Sequence, residues 1–124
     1  MSDGWIGVDL DGCLAEYHGW TGDVGPPVPA MLARVKQWLA QGIEVRIVTA
    51  RVAVCPARSD ESGCVASPGF AEQQRAIIDA WCEEHLGRPL PVTPQKDFQM
   101  VTLYDDRCVP VEKNTGRLLL EGAE

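Results

Sequence analysis

The sequence predicts an α/β fold: a central parallel sheet with helices packed on both faces, three layers in one domain. Three observations predict it. Short runs rich in β-formers alternate with stretches of helical periodicity, in the order strand, helix, strand, helix, strand. The polar residues Asp9, Asp11, Thr49, Asp105 and Asp106 all fall at or just past the ends of those strands, the edge where parallel sheets collect ligands. With 124 residues, 45% of them apolar, the chain can bury a core of its own without disulfide staples.

Trp5–Leu10 is a short apolar run that breaks off in Asp9-Leu10-Asp11-Gly12, and it reads as a buried strand entering a loop. Residues 16–29 are crowded with glycine and proline and form a loop, not a domain. Pro29 suits the first turn of a helix whose Leu32, Val35, Trp38 and Leu39 share a face, with Gly42 as the stop. Residues 43–49 (Ile-Glu-Val-Arg-Ile-Val-Thr) make the second strand. Residues 51–69 are a polar loop, long for a connection, leaving the edge that carries Thr49; they either gate the site or cover it inertly. From Phe70 a helical pattern resumes, placing Gln74, Ile77, Ile78 and Trp81 on one face and ending at Gly87. Leu90–Val92, Met100–Tyr104 and Cys108–Val111 are expected as the third, fourth and fifth strands, followed by a turn at Asn114-Thr115-Gly116. The first strand should be central, between the second and the fourth.

Composition excludes several functions. A formal charge of −7 disfavours non-specific binding to nucleic acid or to an anionic membrane surface. No apolar run is long enough to span a membrane. Residues 1–14 carry three aspartates and no basic residue, unlike a secretory leader. The five cysteines show no CxxC pair, and the Cys55–Cys64 spacing matches no familiar zinc site. Reduced cysteines in a cytoplasmic protein are the expectation.

Carboxylates converging on one edge cannot all ionise at neutral pH without compensation, so such a cluster takes up protons or a cation. All-oxygen ligation by aspartates suits magnesium, with a phosphate and waters completing the octahedron.

Four segments carry a family resemblance. Asp9-Leu10-Asp11-Gly12-Cys13-Leu14 resembles the first motif of the haloacid dehalogenase superfamily, DxDGT followed by an apolar residue. Val48-Thr49-Ala50-Arg51 is similar to its second motif, Lys96 is placed like its third-motif lysine, and Tyr104-Asp105-Asp106-Arg107 resembles the double-aspartate form of its fourth. Together they span residues 5–107. Cys13 departs from the usual threonine.

The resemblance implies a Rossmann-like phosphatase without a separate cap domain. In it Asp9 is the nucleophile that attacks phosphorus and forms an aspartyl phosphate. Asp11 protonates the leaving oxygen and then deprotonates the attacking water. Thr49 and Lys96 donate to oxygens that gain charge in the transition state. Arg51 or Arg107 could supply that charge in place of Lys96. Asp105, supported by Asp106, holds Mg2+ together with the Asp9 carboxylate and the Asp11 main-chain carbonyl. The implied substrate is a phosphate monoester, small or, given an open site, large; a homo-oligomer is compatible with it. A non-catalytic phosphate- or partner-binding domain is the alternative, though acids that repel phosphate serve a pure binder poorly. A phospho-accepting receiver domain would order its acids differently along the chain.

Overall fold

Trp5–Asp9 forms β1, and its neighbours on both sides are parallel to it. The structure is a computed structural model, and it describes residues 4–54 and 67–119. Along these run helix α1 (Pro29–Ala40), β2 (Glu44–Val48), a 3-10 turn (Ala50–Val52), helix α2 (Pro68–Leu86), β3 (Val92–Thr93) and β4 (Met100–Tyr104). The sheet order is β3-β2-β1-β4. The chain is thus an α/β protein with an all-parallel four-stranded sheet, and β1 lies between β2 and β4 as the sequence predicts.

The helices begin and end for local reasons. Pro29 opens α1, and Gly42, with φ of 80°, lets the chain turn out of it. α2 starts at Pro68, two residues earlier than the periodicity predicts, because the Ser67 hydroxyl accepts a hydrogen bond from the Phe70 N–H (3.2 Å). It ends at Gly87 in the left-handed conformation.

The register sets two sheet faces. Ile6 pairs with Val45 and Val8 with Ile47, so these four side chains share one face. There Val8, Val45 and Ile47 form one core cluster with Met31 and Val35 of α1 and Ile78, Trp81 and Cys82 of α2, and Ile6 packs against it. Both helices pack on that face, the arrangement expected when two right-handed crossovers step in the same direction, β1 to β2 to β3. Helices on both faces are expected from the sequence; among the described residues the return from β3 to β4 is the short segment 94–99, which carries no helix.

On the opposite face, Trp5 is 1% exposed. Its indole N–H donates to Asp97 Oδ1 (2.8 Å), and the Arg46 guanidinium lies 4.4 Å from its ring centre. Arg46 in turn pairs with Glu44 (2.6 Å) and Asp97 (3.4 Å).

Two expectations need correction. The third strand is Val92–Thr93, while Leu90 is buried in the core before it. Cys108–Val111 is not a fifth strand of the sheet. Val111 instead makes an isolated antiparallel bridge with Leu118 across a turn where Asn114 has φ of 72°. Pro110 lacks the N–H that a ladder needs, so the segment folds back on itself. Most of the 51–69 loop, with Cys55 and Cys64, lies outside the described residues.

Candidate active site

β1 delivers Asp9 to the carboxyl edge, and the pairing decides its neighbours. Asp9 pairs with Val48, so Thr49 follows directly alongside. On the other side the β1–β4 register shifts: Trp5 pairs with Met100 but Ile6 with Thr102, leaving Val101 as an extra, exposed residue. This bulge makes Val8 the partner of Tyr104. Without it Tyr104 would stand next to Asp9; with it Asp105 does.

One carboxylate oxygen from each of Asp9, Asp105 and Asp106 lies within 4.8 Å of the others. Asp9 is half-buried, and its carboxyl is pushed up to about 8, first by burial, then by its hydrogen bond to Asp106 and by the charges of Asp105, Asp106 and Asp11. Asp106 is held below the usual carboxylate range, mainly because it accepts that bond. The Asp105 carboxylate also accepts the Arg107 main-chain N–H (2.9 Å).

Gly12 explains the turn between the motif's two aspartates and the rest of the loop. Its φ is 87°, and a Cβ there would sit 2.6 Å from Asp106 Oδ2. Only glycine meets both demands. Cys13, where the family pattern has threonine, donates its thiol to the Tyr104 carbonyl (3.5 Å) and so ties the loop to β4. Burial and then Asp9, Asp106 and Asp105 push that thiol up to about 11, which disfavours the nucleophilic thiolate.

Asp11 is gripped by Arg51. The guanidinium donates from Nε to Asp11 Oδ2 and from one terminal nitrogen to Oδ1, both at 2.8 Å. It also donates to Gln74 Oε1 of α2 (2.7 Å) and to the Asp23 carbonyl (2.8 Å). Trp20 covers it, 4.7 Å from ring centre to Cζ. At 7% exposure, Arg51 directs these donors to partners inside the protein, and it also lines the cavity, where the sequence points to it as a substrate-binding residue. Thr49, also buried, accepts the Arg51 main-chain N–H with its hydroxyl oxygen (3.2 Å) and keeps its O–H for another partner.

Residues 15–28 form a strap over this edge. Its base is closed by Glu16 N–H to the Pro26 carbonyl and Val28 N–H to the Leu14 carbonyl, both 2.8 Å. Its far limb is anchored by the Trp81 indole N–H donating to the Gly25 carbonyl (2.8 Å).

An open cavity of about 460 Å³ unites these parts: Asp9, Asp11, Thr49, Arg51, Asp105 and Asp106 line it, together with Tyr17, Trp20, Phe70 and Arg107. Lys96 is exposed in the β3–β4 return and is not among the lining residues. Arg107 is, and among the described lining residues it is the cationic side chain not paired with Asp11. His18 pairs with Glu16 at the surface, and His85 packs on Trp81. Sequence reasoning missed Tyr17, Trp20 and Phe70 as lining residues; it placed Gln74 on an apolar helical face without reading the polar amide there as a sign of a buried partner. Compared with known proteins, the chain matches no family model, no curated protein and no solved structure.

The donor set fits a hard divalent cation: the oxygens of Asp9, Asp105 and Asp106 lie close together and make no ion pair with a described residue, whereas Asp11 is paired with Arg51.

Proposed function

We propose that the chain is a magnesium-dependent phosphohydrolase of the haloacid dehalogenase type, a capless single domain acting on a phosphate monoester through an aspartyl phosphate. The observation that carries the reading is the division of labour among the carboxylates. Asp9, Asp105 and Asp106 crowd together with no ion pair to a described residue, while Asp11, two residues from Asp9, is fixed by a bidentate arginine.

Asp9, Asp105 and Asp106, with the Asp11 main-chain carbonyl, would hold Mg2+, which supplies the positive charge that a carboxylate needs to approach a phosphate dianion. Asp9 is the nucleophile, ending β1 at the floor of the cavity. Asp11 serves as general acid and then general base, and Arg51 keeps it in one orientation for both proton transfers. Thr49 donates its O–H to a phosphoryl oxygen, and Arg107 contributes charge from the rim. The same reading assigns the protein to the cytoplasm, where thiols such as Cys13, Cys82 and Cys108, all free, stay reduced. No described helix is long and apolar enough to cross a membrane.

Hydrolysis of an activated aryl phosphate, assayed with Mg2+ and with chelator, tests the proposal. Turnover should need the metal and fall by several orders of magnitude in Asp9→Asn. Wild-type rates in Asp9→Asn would discard the covalent mechanism. No turnover by the wild type over a broad panel of phosphate esters would favour a phosphate-binding domain.

A further inference from the structure

We propose that Tyr17 and Trp20 form a subsite for the alcohol half of the substrate, selecting phosphomonoesters that carry a planar aromatic ring. This rests on the phosphohydrolase reading and names its substrate class. Both side chains come from the strap, both line the cavity that holds the carboxylates, and they are 44% and 54% exposed. Large aromatic rings left that open beside a polar site lose more by hydration than a loop of small residues would.

The Trp20 ring and the strap that carries both aromatics are also held in place before any ligand arrives. Trp20 rests on the buried Arg51 guanidinium and lies 6.0 Å from the Phe70 ring, tilted by 42°. Arg51 fixes the strap through the Asp23 carbonyl, and Trp81 fixes it through Gly25. A ligand ring therefore meets a surface whose ordering has already been completed by the fold. A second concavity of about 250 Å³ shares Asp11, Tyr17 and Trp20 with the first and continues past them to His18, Thr21 and Asp23. The two rings thus border both the acid-lined cavity and this further hollow. At about 460 Å³ the main cavity falls within the roughly 300–1,000 Å³ typical of small-molecule sites, well beyond what a phosphate alone requires. A group the size of a nucleoside, with phosphate at the acids and a base against the rings, has this form.

Two matched pairs of esters test the subsite: AMP against ribose 5-phosphate, and benzyl phosphate against cyclohexylmethyl phosphate. Each pair keeps a primary alcohol as leaving group and differs in the aromatic ring. With Mg2+, kcat/KM should favour the aromatic member by about tenfold, the effect of one stacked ring. Preference in the first pair alone names a nucleoside as the source, and preference in both names any planar ring. Trp20→Ala should bring the ratio to about one and Trp20→Phe should keep most of it. Equal kcat/KM within both pairs overturns the proposal. Equilibrium titration of the same compounds into Asp9→Asn reads the subsite without turnover: tighter binding of the aromatic member supports it, and equal affinities overturn it. Binding preference without any wild-type hydrolysis would overturn the phosphohydrolase reading and leave the subsite standing.

Discussion

The two ends of the sheet hold the same three kinds of residue in opposite order of burial. Near the amino end of β1, Trp5 is 1% exposed and Arg46 lies over it from outside, paired with Asp97 and Glu44. At the carboxyl edge Arg51 is 7% exposed and Trp20, 54% exposed, lies over it. In the first cluster the ring is the buried element and the charges seal it from water. In the second the charge is buried, fully engaged with Asp11, Gln74 and Asp23, and the ring faces the cavity. A buried guanidinium gains little stability over an apolar side chain of similar shape. Its presence at the carboxyl edge therefore speaks for orientation of Asp11, while the other cluster fastens the fold.

The sharpest break of that symmetry is a pair of truncations. Trp5→Ala should lower unfolding free energy by about 3–5 kcal/mol, as for other fully buried large side chains. Trp20→Ala should lower it by under about 1 kcal/mol, the scale of an exposed cation–ring contact. Chemical denaturation of both variants checks this, and equal losses would erase the distinction.

The arginines should behave in the reverse sense. Arg51→Met leaves Asp11 without its partner and should cost about 3 kcal/mol. It should also lower kcat for an aryl phosphate about a hundredfold, because a general acid–base group loses its orientation. Arg46→Met, far from the cavity, should cost less stability, as exposed ion pairs do, and leave kcat unchanged. A kcat loss in Arg46→Met matching that of Arg51→Met would refute the assignment.

A further expected effect is one of pH. Asp97 is held low, first by the Trp5 indole, then by the Gln99 N–H and by Arg46. Its stabilisation is present above its ordinary range and fades as pH falls through that range. Asp9 is raised from 3.8 to about 8, so between those values the folded chain keeps a proton that the unfolded chain has released. Metal-free stability should therefore decline as pH rises from about 4 to 8. Thermal melts in chelator at pH 5 and pH 8 should show it, Asp9→Asn should flatten it, and Mg2+ should raise the melting temperature more at pH 8 than at pH 5. A flat wild-type profile, or a metal effect independent of pH, would contradict the picture.

Much of this arrangement is legible in the residues themselves. Asp9-Leu10-Asp11-Gly12 at the end of an apolar run places both aspartates, and Gly12 carries the positive φ such a turn requires. Alternation of strands and helices gives the central position of β1. What sequence cannot show is which side chain answers which across the fold. The partner of Arg51 depends on where α2 sets Gln74 and where the strap sets Asp23, and neither follows from local spacing. The extra residue at Val101 is invisible in a run that reads as a plain strand, yet it determines which residue stands beside Asp9. Lys96 looks well placed by its distance along the chain, and the short β3–β4 return leaves it outside the cavity lining.

The central position of β1 has a consequence for the order of assembly. β1, α1, β2, α2 and β3 can dock through contacts between successive elements, but β4 must return across the sheet to reach β1. That closure spans nearly the whole described chain and carries the largest loop entropy of any strand pairing here. Asp105 and Asp106 arrive only with it. The acidic cluster of Asp9, Asp105 and Asp106 is therefore assembled by the pairing of longest range in the sheet, whereas the Arg51 grip on Asp11 needs no part of β4.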